Sequence, residues 1–194
     1  MRRIALLSVA AAVAMVCAAP ASAFAPLMID PVTKQPLENN GRGRMGVSPV
    51  KKEIVASPGK YSPGTIVVNT TERRLYLIQE DGKALKYGIG VGRDGFQWGG
   101  THSVTMKREW PDWRPPEAML KRRPDLPRFM PGGPNNPLGA RALYLGSTIY
   151  RIHGSNEPWT IGQAVSSGCF RMTNDDVVDL YDRVKVGAKV VVLR

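Results

Sequence analysis

The chain has 194 residues, with 27 basic against 16 acidic side chains and a formal net charge of +11. It is long enough to bury a core without cross-links, and its positive balance favours anionic partners. Two cysteines and two histidines in total give no zinc spacing, so neither a metal nor a cofactor is expected; without an aromatic-interleaved basic helix, nucleic acid is not expected either.

Residues 1–23 read as a secretory signal peptide: Arg2 and Arg3 precede an apolar run that breaks at Pro20 before Ala21, Ser22 and Ala23. Val16 stands where a lipoprotein anchor needs a small residue before Cys17, so no membrane anchor is expected after cleavage. Cleavage after Ala23 leaves 25 basic and 16 acidic side chains, a balance of +9, and a single cysteine, Cys169. In an oxidising compartment such a thiol is either buried or there to react.

Residues 24–62 are rich in Pro, Gly, Asn and Lys without apolar periodicity, and read as a flexible arm. One domain, 63–194, follows. GTIVVNTTERRLYLIQEDGKALKYGIGVG carries short β-branched and aromatic runs, with Asp81-Gly82 as a hairpin turn. REWPDWRPPEAMLKRRPDLPRFMPGGPNNPLGAR contains eight prolines, which restrict regular structure to a short segment such as Glu117 to Arg122. This excursion is a candidate lid, with Trp110 and Trp113 as candidate wall residues. ALYLGSTIYRIHG is a second hairpin with a Gly-Ser turn. A helix after Thr173, with Asp175 and Asp176 in its first turn and Val177, Leu180, Tyr181 and Val184 on one face, precedes a last strand from Lys189 to Leu193.

A thiol nucleophile needs a nearby base, and His102 and His153 are the two imidazoles available. His102 alternates within GTHSVTMK as a half-exposed strand residue does. His153 ends an apolar strand and enters Gly154-Ser155-Asn156, so its side chain is the better placed to emerge beside the cysteine turn. Gly168 permits a φ-positive turn at Cys169, where backbone N–H groups could hold an oxyanion. Arg171 either supplies positive charge to that site or pairs with a helix-face aspartate. The spaced glycines of GIGVGRDG lead into a polar turn, not a helix, which argues against a nucleotide site.

RIHGSNEPWTIGQAVSSGCFRMTNDDVVDLYDRVKVGAKVVV resembles the catalytic core of the YkuD-type L,D-transpeptidases, in which a His-Gly pair is followed by a Ser-His-Gly-Cys-hydrophobic-Arg segment and an Asn-Asp helix. The resemblance covers about Pro63 to Arg194. It implies a mainly β fold, a β-sandwich of mixed sheets with one or two short helices. It also implies an exported, periplasmic cysteine enzyme that takes up a peptidoglycan stem tetrapeptide, releases D-alanine and passes the acyl group to an amine on another stem or an envelope protein.

By the same resemblance Cys169 is the nucleophile, His153 the base, and the Gly154 carbonyl the group that orients the imidazole. Gly168 and Cys169 amides are the oxyanion donors, and Ser167, Arg171 and Asn156 are the substrate-side candidates. Ser167 stands where the usual pattern has a second histidine. That substitution and the +9 balance motivate one alternative, a non-catalytic wall-binding module; a hydrolytic variant of the enzyme is a second alternative that stands close to the first reading.

Overall fold

The computed structural model of the protein describes residues 48–194. The residues read as a signal peptide, 1–23, and most of those read as an arm lie outside the described residues. The chain runs through β1 (Glu53–Ala56), β2 (Ile66–Asn69), β3 (Arg74–Ile78), β4 (Lys83–Gly88), β5 (Val91–Gly92) and β6 (Gly100–Glu109) to α1 (Glu117–Arg122). It continues through β7 (Arg141–Leu145), β8 (Arg151–His153), a 3-10 turn (Pro158–Thr160), β9 (Ala164–Ser166), β10 (Phe170–Arg171), α2 (Asn174–Arg183) and β11 (Lys189–Leu193).

Asp81 and Gly82 both take positive φ, 57° and 67°, which is the geometry a two-residue hairpin between right-twisted strands requires. The β3–β4 register follows from that turn, with Leu77 opposite Leu85 and Leu75 opposite Tyr87. Nine strands join in the order β1-β4-β3-β2-β11-β6-β7-β8-β10, and β5 pairs with β9 in a small second sheet. The ten-residue β6 serves two partners: Gly100 to Ser103 pair with β11, and the stretch beyond Val104 pairs with β7 after a register shift. Three pairings are parallel, β2 with β11, β8 with β10 and β5 with β9, so the sheets are mixed. With two short helices, this is the mainly β class expected from the sequence.

The main core draws on both halves of the sheet and on α2: Ile66, Val68, Leu75, Leu143, Leu145, Ile152, Phe170, Met172, Val177 and Leu180 are all buried in one cluster. A second cluster, Val67, Tyr76, Ile78 and Ala84, occupies the opposite face and is covered by Val55 and Tyr61. The arm therefore differs from its sequence reading at this point. Glu53–Ala56 is an edge strand on β4, with Ile54 opposite Leu85, because the apolar outer face of β2 to β4 needs a cover that its composition alone does not reveal.

The proline-rich excursion has α1 at Glu117–Arg122, bounded by Pro116 and closed by Arg123. Trp113 and Met130 exchange two backbone hydrogen bonds of 2.8 Å across it. Buried Asn136 donates to the Met130 and Pro131 carbonyls and accepts from the Leu138 N–H, so one amide satisfies backbone groups that no strand reaches.

α2 begins where the sequence places it: the Thr173 hydroxyl accepts from the Asp176 N–H at 3.2 Å. Leu180 holds the helix to the core with no exposed surface. Leu180→Ala is expected to cost about 2–5 kcal/mol, the range for emptying a buried leucine site, read as a lowered midpoint in chemical denaturation.

Candidate active site

β8 and β10 run parallel, with Ile152 opposite Phe170 and His153 opposite Arg171. Side chains alternate along each strand, so Ile152 and Phe170 point into the core while His153 and Arg171 face the other way. Cys169, directly before β10, falls on that second face. Cys169, His153, Arg151, Arg171, Ser167, Ser166 and Asn156 all line one cavity of about 640 Å³. His102 lies elsewhere, in β6, edge-on to the Trp98 ring at 5.1 Å.

The imidazole of His153 is buried, and its Nδ1 lies 2.6 Å from the Gly154 carbonyl. A carbonyl can only accept, so Nδ1 carries the proton and Nε2 keeps its lone pair. Gly154 has no room for a side chain, because a Cβ there would meet Asn174 Oδ1 and come within 3.0 Å of the Ala140 N–H. Asn174 Oδ1 accepts from the Ala140 N–H at 2.9 Å and the Ser155 N–H at 3.3 Å, tying the end of the excursion and the turn after His153 to the start of α2.

The turn that carries the thiol is equally constrained. Gly168 has φ of 110°, and a Cβ on it would strike the Tyr150 ring. Tyr150 is stacked on Trp98 at 4.5 Å, and Trp98 Nε1 donates to the Gly168 carbonyl at 2.6 Å. Ser166 Oγ accepts from the Gly168 N–H at 3.1 Å and donates to the Cys169 carbonyl at 2.6 Å. The Gly168 amide, read from sequence as an oxyanion donor, thus already has a partner within its own turn.

Arg171 donates to Glu157 at 2.8 Å, so its ion pair is with the residue before the 3-10 turn and not with a helix aspartate. Asn156 is exposed and donates to the Asn135 carbonyl at 3.0 Å, linking the post-His153 turn to the excursion. Trp113 lines the cavity with Pro116, Met119 and Met130, whereas Trp110 packs against Gly132 instead. Sequence reading missed Arg151, Glu157 and Asn174. Arg151 had a signal, since it stands two residues before His153 on the same strand face.

Burial pushes the Cys169 thiol above its ordinary range, opposed by Arg151 and then Arg171. Burial also lowers the His153 imidazole, to about 3, with Arg171 and Arg151 acting in the same direction and the Gly154 carbonyl against them. Near neutral pH the resting pair is therefore a neutral thiol beside a neutral imidazole.

A half-buried thiol and a base-competent imidazole that share one cavity on a strand pair of a mixed β fold are the parts a cysteine-nucleophile site requires. Residues 63–192 match the model of the YkuD L,D-transpeptidase catalytic domain, and the chain belongs to that family. It is 41% identical over 137 residues to an Escherichia coli K12 protein named probable L,D-transpeptidase ErfK/SrfK, a match covering 66% of this chain and 43% of that protein. The chain thus spans less than half the length of this relative.

A solved Brucella melitensis structure, described as a probable carnitine operon oxidoreductase caia, is 46% identical, with TM-score 0.51, over 76% of this chain and 96% of that one. In the present chain the glycine-spaced segment around β5 runs on to β6 with no intervening helix, so no dinucleotide-binding turn forms there. An L,D-transpeptidase from Mycobacterium smegmatis shares the fold, with TM-score 0.53 and 18% identity over 67% of this chain and 58% of that one.

Because unfolded histidine takes up its proton near 6.5 and folded His153 only near 3, the unfolded state binds the extra proton between those values. Stability from this group is full above about 6.5 and falls as pH drops toward 3. His153→Gln is expected to flatten that part of the stability curve, measured as urea midpoints at neutral and mildly acidic pH. Gly168→Ala, which combines positive φ with a clash on Tyr150, is expected to lower the melting temperature and slow thiol alkylation together.

Proposed function

We propose that the protein is an exported cysteine acyltransferase of the cell envelope, an L,D-transpeptidase whose donor is a peptidoglycan stem tetrapeptide. The observation that carries this reading is the shared placement of Cys169 and His153 on one face of the β8–β10 pair, with His153 Nδ1 held by the Gly154 carbonyl. Family membership supports the donor class, and the leader-like residues 1–23 together with the +9 balance of the remainder support a periplasmic location beside an anionic wall. Residues 63–194 form the catalytic domain.

In the acylation step His153 Nε2 takes the thiol proton as Cys169 Sγ attacks the carbonyl carbon of the third stem residue. An S–C bond forms and the carbonyl electrons move to oxygen, to which the Cys169 N–H donates. The C–N bond to D-alanine then breaks, and the proton on His153 passes to the leaving amine, leaving a thioester. An acceptor amine attacks the thioester in turn. Its proton returns through His153 to the departing sulfur, and the thiol is regenerated with a new amide formed.

The two charged neighbours shape this sequence. A neutral resting pair means that charge separates only when the carbonyl is in place, and the nearby guanidinium groups favour the anionic partner. The excursion, with Trp113, Met119, Leu126 and Met130 over the cavity, lowers water access to the thioester and favours an amine acceptor over hydrolysis. The amine acceptor is another stem peptide, an envelope-protein lysine or a free D-amino acid.

The test is intact mass after mixing the protein with a stem tetrapeptide, with and without an amine. The expected result is an adduct of donor mass less D-alanine on the native chain, none on Cys169→Ala, and a transfer product when the amine is added. Absence of any adduct on a folded native chain would favour a wall-binding module, and an adduct cleared only by water would favour the hydrolytic variant. His153→Gln is expected to slow adduct formation by about 100-fold or more, the usual scale for losing a general base.

A further inference from the structure

Arg151 stands apart from the other arginines of the cavity. Arg171 is paired with Glu157 at 2.8 Å and Arg123 with Asp125 at 2.6 Å. Arg93 and Arg122 are exposed at the mouth, where both lie over the Phe96 ring, at 4.8 and 4.9 Å. Arg151 is half-buried, has no carboxylate partner among the described residues, and its Nε is buried without any hydrogen-bond partner. The Tyr144 ring, 4.9 Å from the guanidinium, holds it from one side. An Nε–H kept out of water without a partner costs free energy, which an arriving anion would recover.

Its position says which anion. Since Ile152 is opposite Phe170 and His153 opposite Arg171, the next step back along both strands sets Arg151 beside Cys169. Alternation turns both side chains away from the core and into the cavity that both line. The Gly168 N–H is committed to Ser166 Oγ, so the oxyanion site has the Cys169 amide and needs a second donor.

We propose that Arg151 is a catalytic residue, the fixed cation that stabilises the Cys169 thiolate and donates to the oxyanion formed on its attack. This rests on the reading of Cys169 as the nucleophile. It also gives a physical account of Ser167: the positive charge that a second histidine would supply comes from the neighbouring strand instead. Both the backbone and the guanidinium of Arg151 oppose the burial that raises the thiol, ahead of Arg171. The other charged or titratable groups facing the sulfur are His153 on β8, Arg171 on β10 with its Glu157 partner, Tyr150 before β8, Arg93 after β5, and Arg122 and Arg123 at the end of α1. Of these, Arg171 is already neutralised and the α1 and β5 arginines sit at the rim.

The experiment measures alkylation of Cys169 by iodoacetamide across neutral to alkaline pH in the native protein, Arg151→Met and Arg151→Lys, each with a melting curve. The Met variant is expected to move the thiol midpoint up by about one pH unit, so that alkylation near pH 7 is about tenfold slower. The Lys variant is expected to recover most of that shift, and all three melting temperatures to stay together. If Arg151→Met does not fold, Arg151→Gln takes its place as the neutral variant. A neutral variant whose pH profile overlies the native one overturns the proposal. So does an unshifted profile accompanied by a raised KM for the tetrapeptide, which would make Arg151 a reader of a substrate carboxylate. Alkylation needs no peptide, so failure to form a stem-peptide adduct with the Arg151 dependence intact would count against the acyl-transfer reading and leave this one standing.

Discussion

The parallel pairing of β8 with β10 is the constraint on which the rest of the site depends. It is only two residues deep, yet it sets His153 opposite Arg171 and leaves Cys169 and Arg151 adjacent on the cavity face. So short a ladder has little intrinsic stability. It is held by what surrounds it: Gly90 exchanges two hydrogen bonds of 2.9 Å with Arg171, and the Met172 N–H donates to the His153 carbonyl at 2.8 Å. Ile152 and Phe170 anchor the same two strands in the core from the other side. A one-residue slip of β10 against β8 would turn the thiol into that core and bring Phe170 out.

Burial then sets the chemistry. The same desolvation raises the thiol and lowers the imidazole, so the pair rests uncharged, and in the proposed reaction the proton moves only once a substrate carbonyl is present. The surrounding arginines make this asymmetric, because they disfavour an imidazolium and favour an anion on sulfur or oxygen. The turn geometry contributes in the same sense. Trp98, Tyr150 and Ser166 hold the Gly168 backbone in a left-handed conformation, so the turn presents the Cys169 sulfur to the cavity in one fixed geometry.

The excursion between β6 and β7 converts an open sheet face into a walled cavity. Prolines deny it regular pairing, and its order comes from side chains that take over the role of a ladder: buried Asn136 inside it, and Asn174 from α2 at its end. Asn156 joins it to the turn that follows His153. The wall and the turn after His153 are therefore parts of one hydrogen-bonded unit. Among the described residues no helix is long and apolar enough to cross a membrane.

The sequence by itself determined what short-range physics decides. Asp81-Gly82 could only be a tight turn, Thr173 with Asp175 and Asp176 marked a helix start, prolines confined α1 to Glu117–Arg122, and Lys189–Leu193 was a strand by its apolar run. The thiol and the better-placed imidazole were also legible, because the chain offers so few reactive side chains. Which groups meet them was not. That Gly168 spends its N–H on Ser166, that Arg171 finds Glu157, that Arg151 is left unpaired beside Cys169, and that Glu53–Ala56 covers β4 are outcomes of pairing between distant segments. Turns and caps are written within four or five residues, whereas those partners depend on the register of strands that only the whole folded sheet can set.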